Sequence, residues 1–138
     1  MHRTTTFTTT LATLCLAAFI LTAATPASAQ NAAIKRTTLV KQDAPIAGYQ
    51  SLMNIVEIPP GVSEVRHTHP GPLFLYVLEG TISVEQEGKE TTTYKAGDAF
   101  VIGAGKIHKG TNVSNVPVKL VGTLVFESGK PPSTPVRE

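Results

Sequence analysis

Short apolar or alternating segments, separated by turn residues at regular intervals, dominate the chain after residue 50. Six such segments are rich in Val, Ile, Leu, Thr, Tyr and Phe, and they cover 52–58, 73–78, 81–85, 91–94, 99–102 and 118–126. Gly and Pro clusters such as Pro59-Pro60-Gly61 lie between them. This spacing is typical of a small antiparallel barrel or sandwich. Glu87-Gly88-Lys89 is predicted to be a hairpin tip.

The regions flanking these segments have less regular patterns. Residues 30–49 are interpreted as an N-terminal arm or edge strand, with 34–40 as the candidate strand. Residues 50–127 form the predicted barrel. The final segment, 128–138, contains Pro131, Pro132 and Pro135, and it is predicted to be a disordered tail.

The first 29 residues have the order of a secretory signal peptide. A positive start at Arg3 is followed by an apolar run over 11–24 and by the small residues Ala27-Ser28-Ala29. The alternative is a membrane anchor, but a run of about 14 residues is shorter than the roughly 20 that span a bilayer. We therefore expect cleavage after Ala29 and a periplasmic or secreted protein without a membrane segment.

Composition narrows the possible functions. Cleavage would leave 109 of the 138 residues (138 − 29) and would remove Cys15, the only cysteine, so a thiol nucleophile is excluded. Removal of Arg3 lowers Lys+Arg from 12 to 11, against 10 acidic residues. A net charge near +1 gives no reason to expect a nucleic acid partner.

Three histidines remain after cleavage, and two of them form the pair His67-Thr68-His69. Side chains at i and i+2 of a strand lie on one face, with Cα atoms roughly 6.5 Å apart. Two imidazoles at this spacing can bind one cation. His108 follows a Gly-rich turn and can join them from a neighbouring strand. The alternative is that the histidines are ordinary surface or core residues.

Two segments around these histidines resemble the two motifs of the cupin superfamily, and in particular the small single-domain cupins of type 2. The positions that match are Gly61, His67, His69 and Gly80 in the first motif, and Gly97, Gly105, His108 and Asn112 in the second. The resemblance covers about residues 50–126. It implies a jelly-roll β-barrel that holds one divalent metal ion with His67, His69 and His108.

The sequence departs from the cupin pattern at two positions. Gly103 replaces a proline, and Leu73 replaces the glutamate that normally completes the ligand set. Three imidazoles without a carboxylate favour Fe or Zn, with Ni, Cu or Co as further candidates, over Mn. We expect Leu73 to face the metal and to leave a coordination position open. Spacing does not favour Glu57, Glu64 or Glu79 as a substitute, so these carboxylates are predicted to be solvated or paired at strand ends.

Other residues near the motifs are given structural roles. Alternation places Phe74 and Tyr76 on the face opposite Leu73, either at the surface or at the interface of a homodimer. Phe100 is predicted to pack in the core, and Asn112 to tie a strand end by hydrogen bonds. Gly103 and Gly105 are predicted to be turn residues with positive φ.

Three functions remain open at this point. The cupin resemblance allows a non-haem metal dioxygenase acting on a small molecule. A second hypothesis is a non-catalytic module that binds a small molecule or sugar. A third is a zinc-dependent hydrolase or isomerase. No Ser-His-Asp set or phosphate-binding loop supports an enzyme that works without metal.

Overall fold

The computed structural model describes residues 33–137, which form ten β-strands and no helix. The predicted signal peptide lies outside the described residues. The strands are β1 (Lys35–Asp43), β2 (Tyr49–Ile58), β3 (His67–Thr68), β4 (Leu73–Glu79), β5 (Thr81–Gln86), β6 (Thr92–Lys95), β7 (Ala99–Ile102), β8 (His108–Asn112), β9 (Val118–Glu127) and β10 (Thr134–Pro135). The predicted all-β fold is confirmed. Within residues 33–137, no helix is long and apolar enough to cross a membrane.

The strands form two five-stranded antiparallel sheets. The first has the order β1-β2-β9-β4-β7, and the second has the order β10-β3-β8-β5-β6. Alternation along β9 and β5 buries every second residue, and the inward side chains of both sheets form one core. Its buried members are Val56, Ile58, Leu75, Val77, Ile82, Val84, Phe100, Ile102, Val118 and Leu120.

The N-terminal segment 30–49 contains β1, which lies at the edge of the first sheet and pairs with β2 alone. All nine residues of β1 are exposed. The charged side chains of Lys35, Arg36 and Lys41 on this strand are of the kind that discourage edge-to-edge pairing with another chain. Arg36 on this strand nevertheless contacts the side chain of Glu64, as described below.

The C-terminal segment differs from the predicted disordered tail. Thr134 and Pro135 form β10, which pairs with β3, and the Val136 amide donates to the Arg66 carbonyl (2.8 Å). Proline is compatible with this position because β10 is an edge strand, where a missing N–H faces solvent. The prediction was wrong because proline content argues against a central strand but not against a short edge strand.

Most of the turns and strand-end contacts predicted from the sequence are found in the structure. The β5–β6 hairpin turns at Gly88, where φ is 77°. Gly105 has a φ of 69°, as predicted, but Gly103 is not among the residues with positive φ, so that part of the prediction was wrong. The buried Asn112 amide donates to the Ile58 and Val116 carbonyls (both 2.8 Å), which ties the end of β8 to the end of β2.

Candidate metal site

Three histidines meet inside the barrel. His67 on β3 is paired with His108 on β8, and His69 follows directly after β3. All three side chains are buried, with 5–9% of each residue exposed. One ring nitrogen from each residue can be chosen so that all three atoms lie within 4.8 Å of one another. The structure thus brings together the three residues that the sequence singled out.

Each imidazole is oriented by a backbone carbonyl. The Nδ1 atoms of His67, His69 and His108 donate to the carbonyls of Val65 (2.8 Å), Pro132 (2.6 Å) and Lys106 (3.1 Å), respectively. A carbonyl oxygen only accepts, so in each neutral ring Nδ1 carries the proton and Nε2 carries a lone pair. Metal-binding histidines typically have such a second hydrogen bond, which fixes both ring orientation and tautomer.

The Nε2 atom of His69 is buried without a hydrogen-bond partner in the described residues. Such an atom is costly to bury, and it requires an explanation. A cation held between the three Nε2 atoms would satisfy it. The donor set therefore fits a divalent metal ion that accepts imidazole ligands.

Burial keeps the imidazoles of His69 and His108 in the neutral form that binds metal. Desolvation lowers the pKa of His108 to about 4, against the opposing effect of its hydrogen bond to Lys106. Desolvation also lowers the pKa of His69. The hydrogen bond to the Pro132 carbonyl acts in the opposite direction, and the charges of His67 and Arg36 add smaller lowering contributions. Both rings are therefore neutral at pH 7 without help from a metal.

This electrostatic environment predicts how the stability of the metal-free protein depends on pH. The folded-state pKa values lie below the unfolded value of about 6.5, so the unfolded chain binds more protons between about pH 6.5 and pH 4. The free energy of unfolding should have its full value above pH 6.5 and should fall progressively as the pH is lowered toward 4. Urea unfolding in EDTA across this range tests it, and a stability that rises on acidification would contradict it.

A metal ion should add to this stability and steepen its dependence on pH. Protons compete with the metal for the same imidazoles, so affinity should fall in acid. At free metal 100 times the dissociation constant, the expected gain is about 2.7 kcal/mol. The measurement is the unfolding midpoint of protein shown to contain metal, before and after chelation at pH 7.5 and pH 5.5. An unchanged midpoint at pH 7.5 would contradict the prediction.

The histidines line a cavity of about 120 Å³ between the two sheets. Most of its wall is apolar, and it includes Leu73, Leu75, Phe100 and Leu124. The volume is of the same order as the ~150 Å³ apolar cavity that accepts benzene in other proteins. A molecule of about one small ring therefore fits beside the three histidines.

Leu73 lies in the wall of the same cavity, at the start of β4. Its neighbours across the sheet are Ile102 and Leu124, and its Cδ1 would touch a Cβ atom placed on Gly122 (3.4 Å). Leu73 thus presents an apolar side chain where the cupin motif places a carboxylate. Phe74 and Tyr76 lie on the opposite, outer face of β4, as predicted, and they are 53% and 47% exposed.

Glu64 differs from its prediction. Its side chain is only 12% exposed, it lines the histidine cavity, and its Oε1 accepts from Nη2 of Arg36 (2.6 Å). Sequence reasoning missed this pair because it depends on the pairing of β1 with β2, which the local spacing of residues does not reveal. The other two carboxylates agree with their prediction: Glu57 pairs with Lys35 at 3.4 Å, and Glu79 is exposed at the end of β4.

Phe100 is buried and stacks on Tyr94, with ring centroids 4.1 Å apart. The predicted packing role of Phe100 is therefore confirmed, and Phe100 also forms part of the cavity wall. Sequence reasoning also missed Pro132, whose carbonyl orients His69 from the C-terminal segment. A proline-rich stretch carries no pattern that reveals such a backbone contact.

Comparison with known proteins identifies the family and several relatives. The family model described as "Cupin domain" matches residues 54–126. The tetracenomycin polyketide synthase protein TcmJ of Streptomyces glaucescens is 33% identical over 67 residues, which are 48% of this chain and 44% of that protein. The chain thus spans less than half of this relative.

Two solved structures extend the comparison. A Klebsiella pneumoniae protein with a double-stranded β-helix domain aligns with a TM-score of 0.63 and 20% identity, over 79% of this chain and 89% of that one, and it supports the fold alone. An oxalate oxidase in complex with the substrate analogue glycolate aligns with a TM-score of 0.55 and 28% identity, over 62% of this chain and 46% of that one.

Proposed function

Since this chain belongs to the cupin family, we propose that it binds one divalent transition metal through His67, His69 and His108 and acts on a small molecule in the adjoining cavity as a metal-dependent dioxygenase. The observation that carries the metal site is the set of three Nδ1 hydrogen bonds to backbone carbonyls, which leaves three Nε2 lone pairs for one ion. A mostly apolar cavity beside the ligands supports a small organic substrate.

The dioxygenase assignment has two further supports. Leu73 supplies no fourth ligand, so His67, His69 and His108 would hold the ion with three protein ligands, as catalytic rather than closed structural sites do. The oxalate oxidase relative, at 28% identity, is an enzyme that oxidises a small organic molecule. When iron is bound, it supplies the redox chemistry that lets O₂ react with such a molecule, and both oxygen atoms enter the product, so no external reductant is needed.

The chain's own residues have separate roles in this proposal. The carbonyls of Val65, Pro132 and Lys106 hold the imidazoles in the binding tautomer. The apolar side chains of Leu73 and Phe100 limit water in the cavity. No imidazole is left for proton transfer among the described residues, because His67, His69 and His108 are the only histidines in 33–137 and all three are ligands.

The test combines metal content with access to the metal. The full chain, loaded anaerobically with Fe(II), should bind one iron ion per chain and should bind nitric oxide, an analogue of O₂ that gives a characteristic electron paramagnetic resonance signal. If the protein as isolated contains one zinc ion per chain and takes up no iron, that result would favour a hydrolase. Iron that does not react with nitric oxide would favour a non-catalytic binding module, which the apolar cavity also suits.

We also propose that the protein is exported, with cleavage after Ala29. The support is the order of the positive, apolar and small-residue segments described above. Intact-mass analysis of the extracytoplasmic fraction should find a chain that begins at Gln30. A protein that retains Met1 in that fraction, or that is confined to the cytoplasm, would overturn the export proposal without affecting the metal site.

A further inference from the structure

Arg36 and Glu64 form a charged pair in the wall of the histidine cavity. The two residues come from different parts of the fold, since Arg36 lies on the edge strand β1 and Glu64 precedes β3. The Glu64 side chain is 12% exposed, whereas the Arg36 side chain is 49% exposed. Arg36 therefore marks the place where the cavity meets solvent, and Glu64 lies further inside.

The Glu64 carboxylate is built into this wall. The Glu64 amide donates to the Gly110 carbonyl (2.8 Å), and Gly110 lies two residues after His108 on β8. A Cβ atom on Gly110 would lie 2.9 Å from Oε2 of Glu64, so the absence of a side chain there provides the space for the carboxylate. Glu64 thus holds Arg36 from a fixed position.

The pair leaves most of the guanidinium available to a ligand. A guanidinium has five N–H donors, and the contact with Glu64 uses Nη2. Its planar fork suits a second carboxylate, which it can bind with two parallel hydrogen bonds. An opposite charge is also favoured here, because a divalent ion and Arg36 contribute +3 against −1 from Glu64, while the metal-bound imidazoles are neutral.

Size and polarity restrict the rest of the ligand. The volume of about 120 Å³ holds roughly one small ring or a short chain. Most of the cavity lining is apolar, and it includes Leu73, Phe100 and Leu124. One end of the ligand thus meets a cation at the mouth, and its body meets hydrocarbon.

From these observations, and resting on the proposed function, we propose that the substrate is a small monocarboxylic acid with a compact apolar body, and that Arg36 is the residue that selects its carboxylate. Glu64 is a positioning residue, which holds the guanidinium until the carboxylate arrives. Arg36 acts here as a specificity residue and takes no part in bond making or breaking.

The test compares two molecules of the same shape, benzoate and benzamide, by calorimetric titration of the zinc-loaded full chain. Wild type should prefer benzoate, and Arg36→Gln should reduce that preference at least tenfold. Glu64→Gln should increase it, because the amide oxygen of glutamine can still accept from Arg36 and position it, while the competing negative charge is removed. Lys35→Gln, which removes the neighbouring Lys35–Glu57 pair on β1, is the matched control and should leave it unchanged.

The alternative is that the pair only ties β1 to the barrel. Arg36→Gln and Glu64→Gln would then lower the unfolding midpoint alike, and neither would alter the preference for benzoate; that result would overturn the proposal. Zinc content, measured on the same samples, separates this outcome from failure of the metal site. Normal zinc with an unchanged preference refutes the role of Arg36, whereas absent zinc refutes the proposed function.

Discussion

Replacing His69 or His108 by alanine should reduce the affinity for Fe(II) or Zn(II) by more than about 100-fold. Loss of a group that only hydrogen-bonds to a metal ligand already lowers metal affinity by about 10–100-fold, and these substitutions remove a ligand itself. The barrel should persist, because its buried core consists of aliphatic and aromatic residues and does not include the histidines. A typical single substitution costs 0.5–3 kcal/mol of unfolding free energy.

The measurement is competition against a chromophoric chelator at pH 7.5, with far-ultraviolet circular dichroism as a check on folding. Thr68→Ala is the matched control, because Thr68 lies between two of the histidines but is not a cavity residue. Retained affinity in both histidine variants would refute the metal site. Insoluble protein in both would show that these residues stabilise the barrel directly, and His108→Gln would then test binding.

Replacing Leu73 by glutamate should shift the metal preference toward Mn²⁺. The carboxylate would enter the cavity wall that also contains the three histidines, where it can supply an oxygen ligand and lower the net charge of the site. Hard ions such as Mn²⁺ favour oxygen ligands more than Zn²⁺ does. We expect the ratio of Mn²⁺ to Zn²⁺ affinity to rise by about tenfold or more, the change that 1.4 kcal/mol of selective stabilisation produces.

Phe74→Glu provides the comparison for this experiment. It introduces the same charge at the adjacent position, on the exposed face of β4, so a general electrostatic effect would appear in both variants. The ratio should change in Leu73→Glu alone. An equal change in the two, or none in either, would mean that position 73 does not contact the ion and that the first cupin motif is aligned incorrectly.

Much of the fold follows from alternation in the sequence, but β8 shows why part of it does not. Its buried positions are His108, Gly110 and Asn112, and none of them is an apolar residue that an alternation pattern would detect. Gly110 accommodates the Glu64 carboxylate, and Asn112 connects two strand ends. The strand that serves the site therefore lacks the hydrophobic pattern that predicts strands elsewhere.

The three histidines were predictable because their spacing and the flanking glycines lie within short segments of sequence. Arg36, Glu64 and Pro132 were not, because each reaches the cavity through a long-range pairing. Arg36 depends on the register of β1 against β2, and Pro132 on the pairing of β10 with β3. Such pairings depend on packing of the whole barrel and leave no signature in the residues themselves.

The pairing of His67 with His108 also has a consequence for the order of events during folding. The two residues are 41 positions apart (108 − 67), and the Pro132 carbonyl that orients His69 is 63 residues beyond it. Loops of this length must close before any of these contacts forms, and folds dominated by such pairings reach the native state slowly, in milliseconds to seconds. A metal ion bound by the three histidines would therefore find its complete ligand set only in a nearly native barrel. It should slow unfolding strongly while changing the refolding rate little.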